Sequence, residues 1–228
     1  MAEFRVHKLE GMQYVDIHLD NETARAEAGA FSYMTGEITM HSRLIPSIGG
    51  LIKSLLADEA VYRPTYTGTG VITLESSLGG FHILDLDGES WILERGTYWA
   101  SEGSVEVSYH RERFLTSLYA GEGLIYLQTK VRGHGKVALT TRGPVEELTL
   151  ERGKSLVAEG MYVIARTPDV SFKIRRPTKN FFGRYTSGEG WVRVYEGPGK
   201  VLLNPAPYWR YWMMVQRGDA DYPSQTTF

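Results

Sequence analysis

The feature that most limits how this chain folds is a Gly-x-Gly step that returns at nearly constant spacing. Gly68-Thr69-Gly70 is followed by Val71, Ile72 and Leu74, and Gly133-His134-Gly135 by Val137, Ala138 and Leu139. Gly197-Pro198-Gly199 is followed by Val201, Leu202 and Leu203. The first glycines stand 65 and then 64 positions apart. Each step follows an acidic, strand-like lead: Glu59-Ala60-Val61-Tyr62, Gly121-Glu122-Gly123-Leu124-Ile125-Tyr126, and Gly188-Glu189-Gly190-Trp191-Val192. The stretches between also correspond. Gly88, Trp91, Gly96, Tyr98, Ser108 and Tyr109 align with Gly153, Leu156, Gly160, Tyr162, Ser171 and Phe172, with one residue of slippage. A period of this size marks a repeat architecture. Two glycines around one residue permit positive φ where a chain reverses, so each step is expected at the corner of a β-hairpin. In that reading Gly68, Gly70, Gly133, Gly135, Gly197 and Gly199 are structural turns. A lone hairpin is marginal in water, so the repeats must stack to bury their faces.

Strand patterning runs through the chain. Val15, Ile17 and Leu19 alternate with Asp16, His18 and Asp20; Val105, Val107 and Tyr109 alternate with Glu106 and Ser108. Phe172 and Ile174 alternate with Lys173 and Arg175, and Val192 and Val194 flank Arg193. This period of two predicts half-buried antiparallel strands. Ile125, Tyr126 and Leu127 run without a polar break and predict a strand covered on both faces. Glycines at 88, 96 and 103, then 143, 153 and 160, punctuate the strands in the rhythm of a sandwich, barrel or β-helix. One short helix is expected at 51–57, where Leu51, Ile52, Leu55 and Leu56 share a face after Gly49-Gly50. The fold class is therefore all-β. No linker or shift in composition divides the chain, so residues 1–228 read as one domain, with 216–228 a frayed polar tail.

Bulk composition narrows the function classes. Apolar residues make up 42% and charged residues 23%, which suits a packed core rather than disorder. A net charge of −2 excludes a dominant field for nucleic acid or anionic membrane, while leaving room for a local basic patch. The absence of cysteine excludes disulfides, thiolate metal sites and cysteine nucleophiles, and fits a reducing compartment. Met1 to Lys8 shows no apolar leader and no stretch reaches the length of a membrane span, so a cytoplasmic protein is expected.

The order of motifs resembles the altered-inheritance-of-mitochondria type of protein, a group catalogued in bacteria and archaea as a domain of unknown function. The residues that carry the resemblance are Phe31-Ser32-Tyr33-Met34-Thr35-Gly36, Gly49-Gly50-Leu51-Ile52 and Gly121-Glu122-Gly123-Leu124. They continue with Gly133-x-Gly135-x-Val137, then Gly188-Glu189-Gly190 and Gly197-Pro198-Gly199-Lys200-Val201. The match spans roughly residues 31–204. The resemblance implies a double-stranded β-helix, a sandwich similar to the tryptophan-RNA-binding attenuator (TRAP-like) architecture, and a compact homo-oligomer, a trimer above all. It carries over no catalytic residue. Mitochondrial relatives are linked to inner-membrane organisation.

Candidate chemistry is sparse. The six histidines, His7, His18, His41, His82, His110 and His134, form no His-x-His pair of the kind metal-binding β-helices use. Asp16, His18 and Asp20 share one strand face, but neighbours two apart on a strand sit roughly 6.5–7 Å apart, which favours a solvated face over chelation. His82 with Asp85 and Asp87 changes face along its strand. No Gly-x-Ser-x-Gly elbow is present. Glu146-Glu147 and Asp58-Glu59 read as solvated turn carboxylates. Gly197-Pro198-Gly199-Lys200 lacks the spacing and the following helix of a phosphate loop. No catalytic residue, metal ligand or cofactor is assigned.

Two surfaces remain. Lys173, Arg175, Arg176, Lys179 and Arg184 interleave with Phe172, Phe181, Phe182 and Tyr185, the mixture of cations and stacking rings used by single-stranded nucleic-acid sites. The competing and favoured reading is a basic loop after a core strand. Tyr208, Trp209, Tyr211 and Trp212 concentrate aromatic area that suits an oligomer interface better than a membrane belt. The sequence therefore points to a non-catalytic oligomeric β scaffold or binding module. The alternatives are a single-stranded nucleic-acid binder and a metal or small-molecule enzyme in a β-helix mouth.

Overall fold

Residues 1–42, 63–77, 79–111, 127–159, 162–175 and 192–206 are described by the structure, a computed structural model. Among them the chain is all-β. In chain order the strands are β1 (Glu3–Leu9), β2 (Met12–Ala26), β3 (Phe31–His41), β4 (Thr65–Ser77), β5 (Phe81–Leu93), β6 (Tyr98–Glu102) and β7 (Glu106–Arg111). They continue with β8 (Leu127–Thr140), β9 (Glu146–Leu150), β10 (Ser155–Glu159), β11 (Val163–Arg166), β12 (Ser171–Arg175), β13 (Val192–Glu196) and β14 (Gly199–Leu203). The helix expected at 51–57 and the tail at 216–228 lie outside the described residues, as do Ile125 and Tyr126.

All pairings are antiparallel. One sheet runs β3-β4-β2-β6-β8-β5-β11-β14-β9, with β1 added on β2 and β7 on β8; a second runs β10-β13-β12. Local chemistry explains the first hairpin. Glu10 and Gly11 join β1 to β2 with φ of 49° and 81°, the two positive values a type I′ turn needs. The alternation read in β2 is observed: Val15, Ile17 and Leu19 are buried, while Tyr14, Asp16 and His18 face outward and are partly exposed. Those apolar residues pack with Phe4, Tyr66, Ile72 and Leu74 in one core cluster. A second cluster surrounds Trp91, Val131 and Leu139, and a third surrounds Val170, Phe172 and Tyr195.

The long strands change neighbours midway. β8 pairs with β5 throughout, with β7 along Leu127–Arg132 and with β6 along Val137–Leu139. Toward the C-terminus β13 lies between β10 and β12, and β14 between β9 and β11. In β8 the Gly133-x-Gly135 step marks the change, and the placement of the glycines corrects the expectation of hairpin corners. Gly68 and Gly70 lie inside β4, Gly133 and Gly135 inside β8, and Gly197 and Gly199 flank the passage from β13 to β14, which do not pair with each other. Positive φ is observed at five of the six, 144°, 152°, 110°, 132° and 139° at Gly68, Gly70, Gly133, Gly135 and Gly199. At Gly68, Gly70, Gly133 and Gly135 it lies within a continuing strand rather than at a reversal.

The neighbouring strand carries the matching irregularity. The register of β2 against β4 shifts between Leu19 and Glu22, and that of β5 against β8 between Asp87 and Ser90. Asn21 there has φ of 54° and Gly88 has 91°. Opposite Gly197 and Gly199, the turn between β9 and β10 places Gly153 at 79°. An extra residue on one strand makes a bulge that raises the local twist, and the glycines opposite let the partner follow it.

Candidate functional site

Three glutamates lead short turns, with Glu94 buried, Glu27 partly exposed and Glu159 exposed. Ala30 donates its amide to Glu27 O, Thr97 to Glu94 O and Tyr162 to Glu159 O, closing the same short turn each time. Glu27, Glu94 and Glu159 stand 67 and 65 positions apart. Arg63 bonds Glu27, and Gln128 and Arg193 both bond Glu94; these three partners are spaced by 65 and 65.

Around Glu94 the arrangement is sealed. Arg193 Nη1 donates to Glu94 Oε1 at 2.9 Å, and Gln128 Nε2 donates to the same oxygen at 3.0 Å. Side-chain exposure is 9% for Arg193 and 8% for Glu94, and Gln128 is 1% exposed. The contact ties β13 of the small sheet to the turn after β5 and to β8. Arg166 lies nearby, donating through Nη1 to Val170 O at 2.9 Å, with its guanidinium 5.1 Å from the centre of the Phe172 ring. Tyr195 stacks on Phe172 at 5.8 Å, and burial pushes its phenol up to about 12, so it stays protonated. Inside a low-dielectric region a charge persists only when paired and hydrogen-bonded. These groups meet that condition by holding one another, which is the chemistry of a clamp.

Around Glu27 the same theme is more open. Arg63 Nε donates to Glu27 Oε2 at 2.7 Å and Nη2 to Thr129 Oγ1 at 3.1 Å. The Arg63 guanidinium lies 4.2 Å from the centre of the Tyr98 ring, and the Tyr98 hydroxyl bonds Ser101 Oγ at 2.9 Å. A cation over a tyrosine face adds attraction that grows as water is excluded.

The period-two reading of Val192, Arg193 and Val194 expects Arg193 in solvent; instead it is buried with Tyr195, because Glu94 compensates its desolvation. Glu146 and Glu147 lie in β9 rather than a turn, and Lys200 pairs with Glu147 at 2.9 Å. Asp16 does not gather with His18 and Asp20. Thr73 donates to Asp16 Oδ1 at 2.6 Å, and His7 approaches Oδ2 at 3.1 Å from β1. Among the described residues no three acidic or histidine side chains converge as a metal site. Phe172 is buried, and Lys173 pairs with Glu196 at 3.0 Å. Arg175 ends β12. Arg176, Lys179, Phe181, Phe182, Arg184, Tyr208, Trp209, Tyr211 and Trp212 lie outside the described residues.

His82, in β5, is half-buried, and desolvation lowers its pKa from 6.5 against the pull of Glu147 and Asp85. The unfolded chain then takes up the proton first, so this group's contribution to stability is present above about pH 6.5 and is lost as pH falls below it. Wild-type protein should lose stability between pH 7 and 5.5 more steeply than His82→Gln. Urea unfolding across that range checks this; equal slopes would refute it.

Sequence reasoning missed the Glu94–Arg193 clamp. The signal was present, since Arg63, Gln128 and Arg193 keep the 65-residue period already noticed in the glycines.

Comparison with other proteins gives a consistent picture. A family model described as mitochondrial biogenesis AIM24 matches residues 4–206. An uncharacterised protein of Streptococcus pyogenes serotype M6 is 21% identical over 205 residues, covering 84% of this chain and 82% of the relative. A crystal structure of a Streptococcus pyogenes protein superposes with a TM-score of 0.70 at 18% identity, covering 96% of this chain and all of that one. The structural match shows a shared fold. Among the described residues no helix is long and apolar enough to cross a membrane.

Proposed function

This chain belongs to the AIM24 family of mitochondrial biogenesis proteins, and from that premise we propose that it is a non-catalytic, homo-oligomeric β scaffold that presents binding surfaces. The observation that carries this reading is where the chain places its polar chemistry. Its best-organised charged groups, Glu94 and Arg193, are 99 residues apart and are spent joining two sheets in the interior. Enzymes instead aim perturbed titratable groups into a cleft that substrate can enter.

Three parallel segments support the repeat-built, TRAP-like reading of the architecture. Each has a long strand or strand pair bent at Gly-x-Gly, a bulge or turn opposite, and a glutamate-led turn after it. A scaffold of this kind gains function from display and copy number rather than from bond chemistry. Light scattering on purified protein should therefore give a mass of two or more chains at micromolar concentration. A monomer under those conditions would overturn the proposal.

A further inference from the structure

Asp87 and Gly88 form the chain's one Asp-Gly step, and the fold sets it at a bulge. The register of β5 on β8 passes from Asp87 opposite His134 to Ser90 opposite Arg132, so Gly88 and Glu89 together face Gly133. Two residues against one take the bulged strand out of the regular ladder. The Asp87 side chain is fully exposed, and Gly88 is exposed with φ of 91°. His134 reaches this point from β8, with Nδ1 3.3 Å from Asp87 Oδ1. A Cβ on Gly88 would stand 3.3 Å from His134 Cε1 and 3.5 Å from Nε2. The imidazole thus covers the side of Gly88 that a side chain would occupy.

The remaining described aspartates are placed differently. Asp16 accepts from Thr73 at 2.6 Å and precedes Ile17. Asp20 precedes Asn21, whose amide donates to Thr69 Oγ1 at 3.0 Å. Asp85 pairs with Lys136 at 3.1 Å and precedes Leu86, and Asp169 precedes Val170. An aspartyl carboxyl is open to attack by the amide nitrogen of the next residue, and any side chain on that residue obstructs the approach. Glycine removes the obstruction.

We propose that Asp87-Gly88 is a site of self-modification, at which the folded chain converts aspartate to isoaspartate while His134 moves the protons. The Gly88 nitrogen bonds to Asp87 Cγ, the Cγ–O bond breaks, and the amide proton and hydroxyl leave as water. Water then opens the succinimide ring. Opening at Cγ restores aspartate. Opening at the main-chain carbonyl breaks the original peptide bond and leaves the chain running through Cγ. The imidazole, set against both residues, can take the amide proton and hand one to the departing oxygen, because it exchanges a proton near neutral pH. The product adds one backbone carbon where β5 already departs from its ladder, so the pairing on either side persists.

The test incubates full-length protein in warm, neutral heavy-oxygen water, since each passage through the ring leaves one heavy oxygen at Asp87. Peptide fragmentation then locates the label and separates isoaspartate from aspartate. Asp87 should take up heavy oxygen ahead of Asp85 and Asp169, with isoaspartate accumulating there. Uptake should be faster in the native protein than in the same protein unfolded in urea. His134→Gln should slow it about tenfold or more; the His134 side chain is 75% exposed, so this variant keeps the fold. Label at Asp87 no greater than at Asp85 would overturn the proposal. Uptake as fast or faster in the unfolded chain, or an unchanged rate in His134→Gln, would overturn it too, because the reaction would then belong to the dipeptide and not to the fold.

Discussion

Replacing Gly70 with alanine should lower the stability of this protein by about 3 kcal/mol or more, from backbone strain and steric overlap together. Gly70 has φ of 152°, a conformation that side chains rarely adopt. An added Cβ would also collide with the Thr35 carbonyl of β3 and lie 3.0 Å from Gly36 Cα and 3.1 Å from Ile38 Cδ1. The two strands are paired Gly36 to Gly70 at this point, so neither backbone can yield without breaking the ladder. For a chain of this size the loss corresponds to about 6–12 °C in melting temperature. Gly153→Ala is the control. Gly153 has φ of 79° but open space around it, so it isolates the conformational cost, about 1 kcal/mol. Thermal or urea unfolding of the two variants decides the matter. Equal losses would mean that close approach of β3 and β4 contributes nothing.

Arg193→Leu should cost about 3 kcal/mol, at the lower end of what breaking a buried ion pair removes. The substitution takes the Arg193 guanidinium away from the Glu94 carboxylate, 8% exposed, whose Oε1 also accepts from the Gln128 amide. Combining Glu94→Leu with Arg193→Leu should recover more than half of the loss, because the two facing charges are then removed together. Urea unfolding measures all three proteins. If Arg193→Leu unfolds within about 1 kcal/mol of wild type, the clamp is not a determinant of stability. The contact spans 99 residues of sequence, so it tests whether the β10-β13-β12 sheet is fastened to the rest by charge as well as by the apolar cluster around Phe172.

Much of this molecule was legible in its sequence. The alternation in β2 identifies its inner face because side chains on a strand point to opposite sides in turn. The turn-forming pair Glu10-Gly11 states a local requirement for positive φ. Legibility fails where the decisive partner is distant. Arg193 follows a period-two pattern that points it outward, and the Glu94 carboxylate, brought alongside by the fold, compensates its burial. Glu146 and Glu147 resemble turn residues by composition, yet β14 pairs with them and makes a strand.

The recurring glycines show the division most clearly. By itself the sequence determined the all-β character of the described residues, a Gly-x-Gly spacing near 65 residues and the places where the backbone enters conformations that favour glycine. These follow from local sterics and periodicity, which each segment carries with it. Tertiary structure decided what those conformations are for. A positive φ serves equally at a reversal or at a bend, and the choice rests on which strands lie alongside. In β4 and β8 the neighbours continue past the glycines, so the strand bends and proceeds instead of turning back. Pairing of that kind is set by contacts between residues far apart in the chain, and no local pattern contains it.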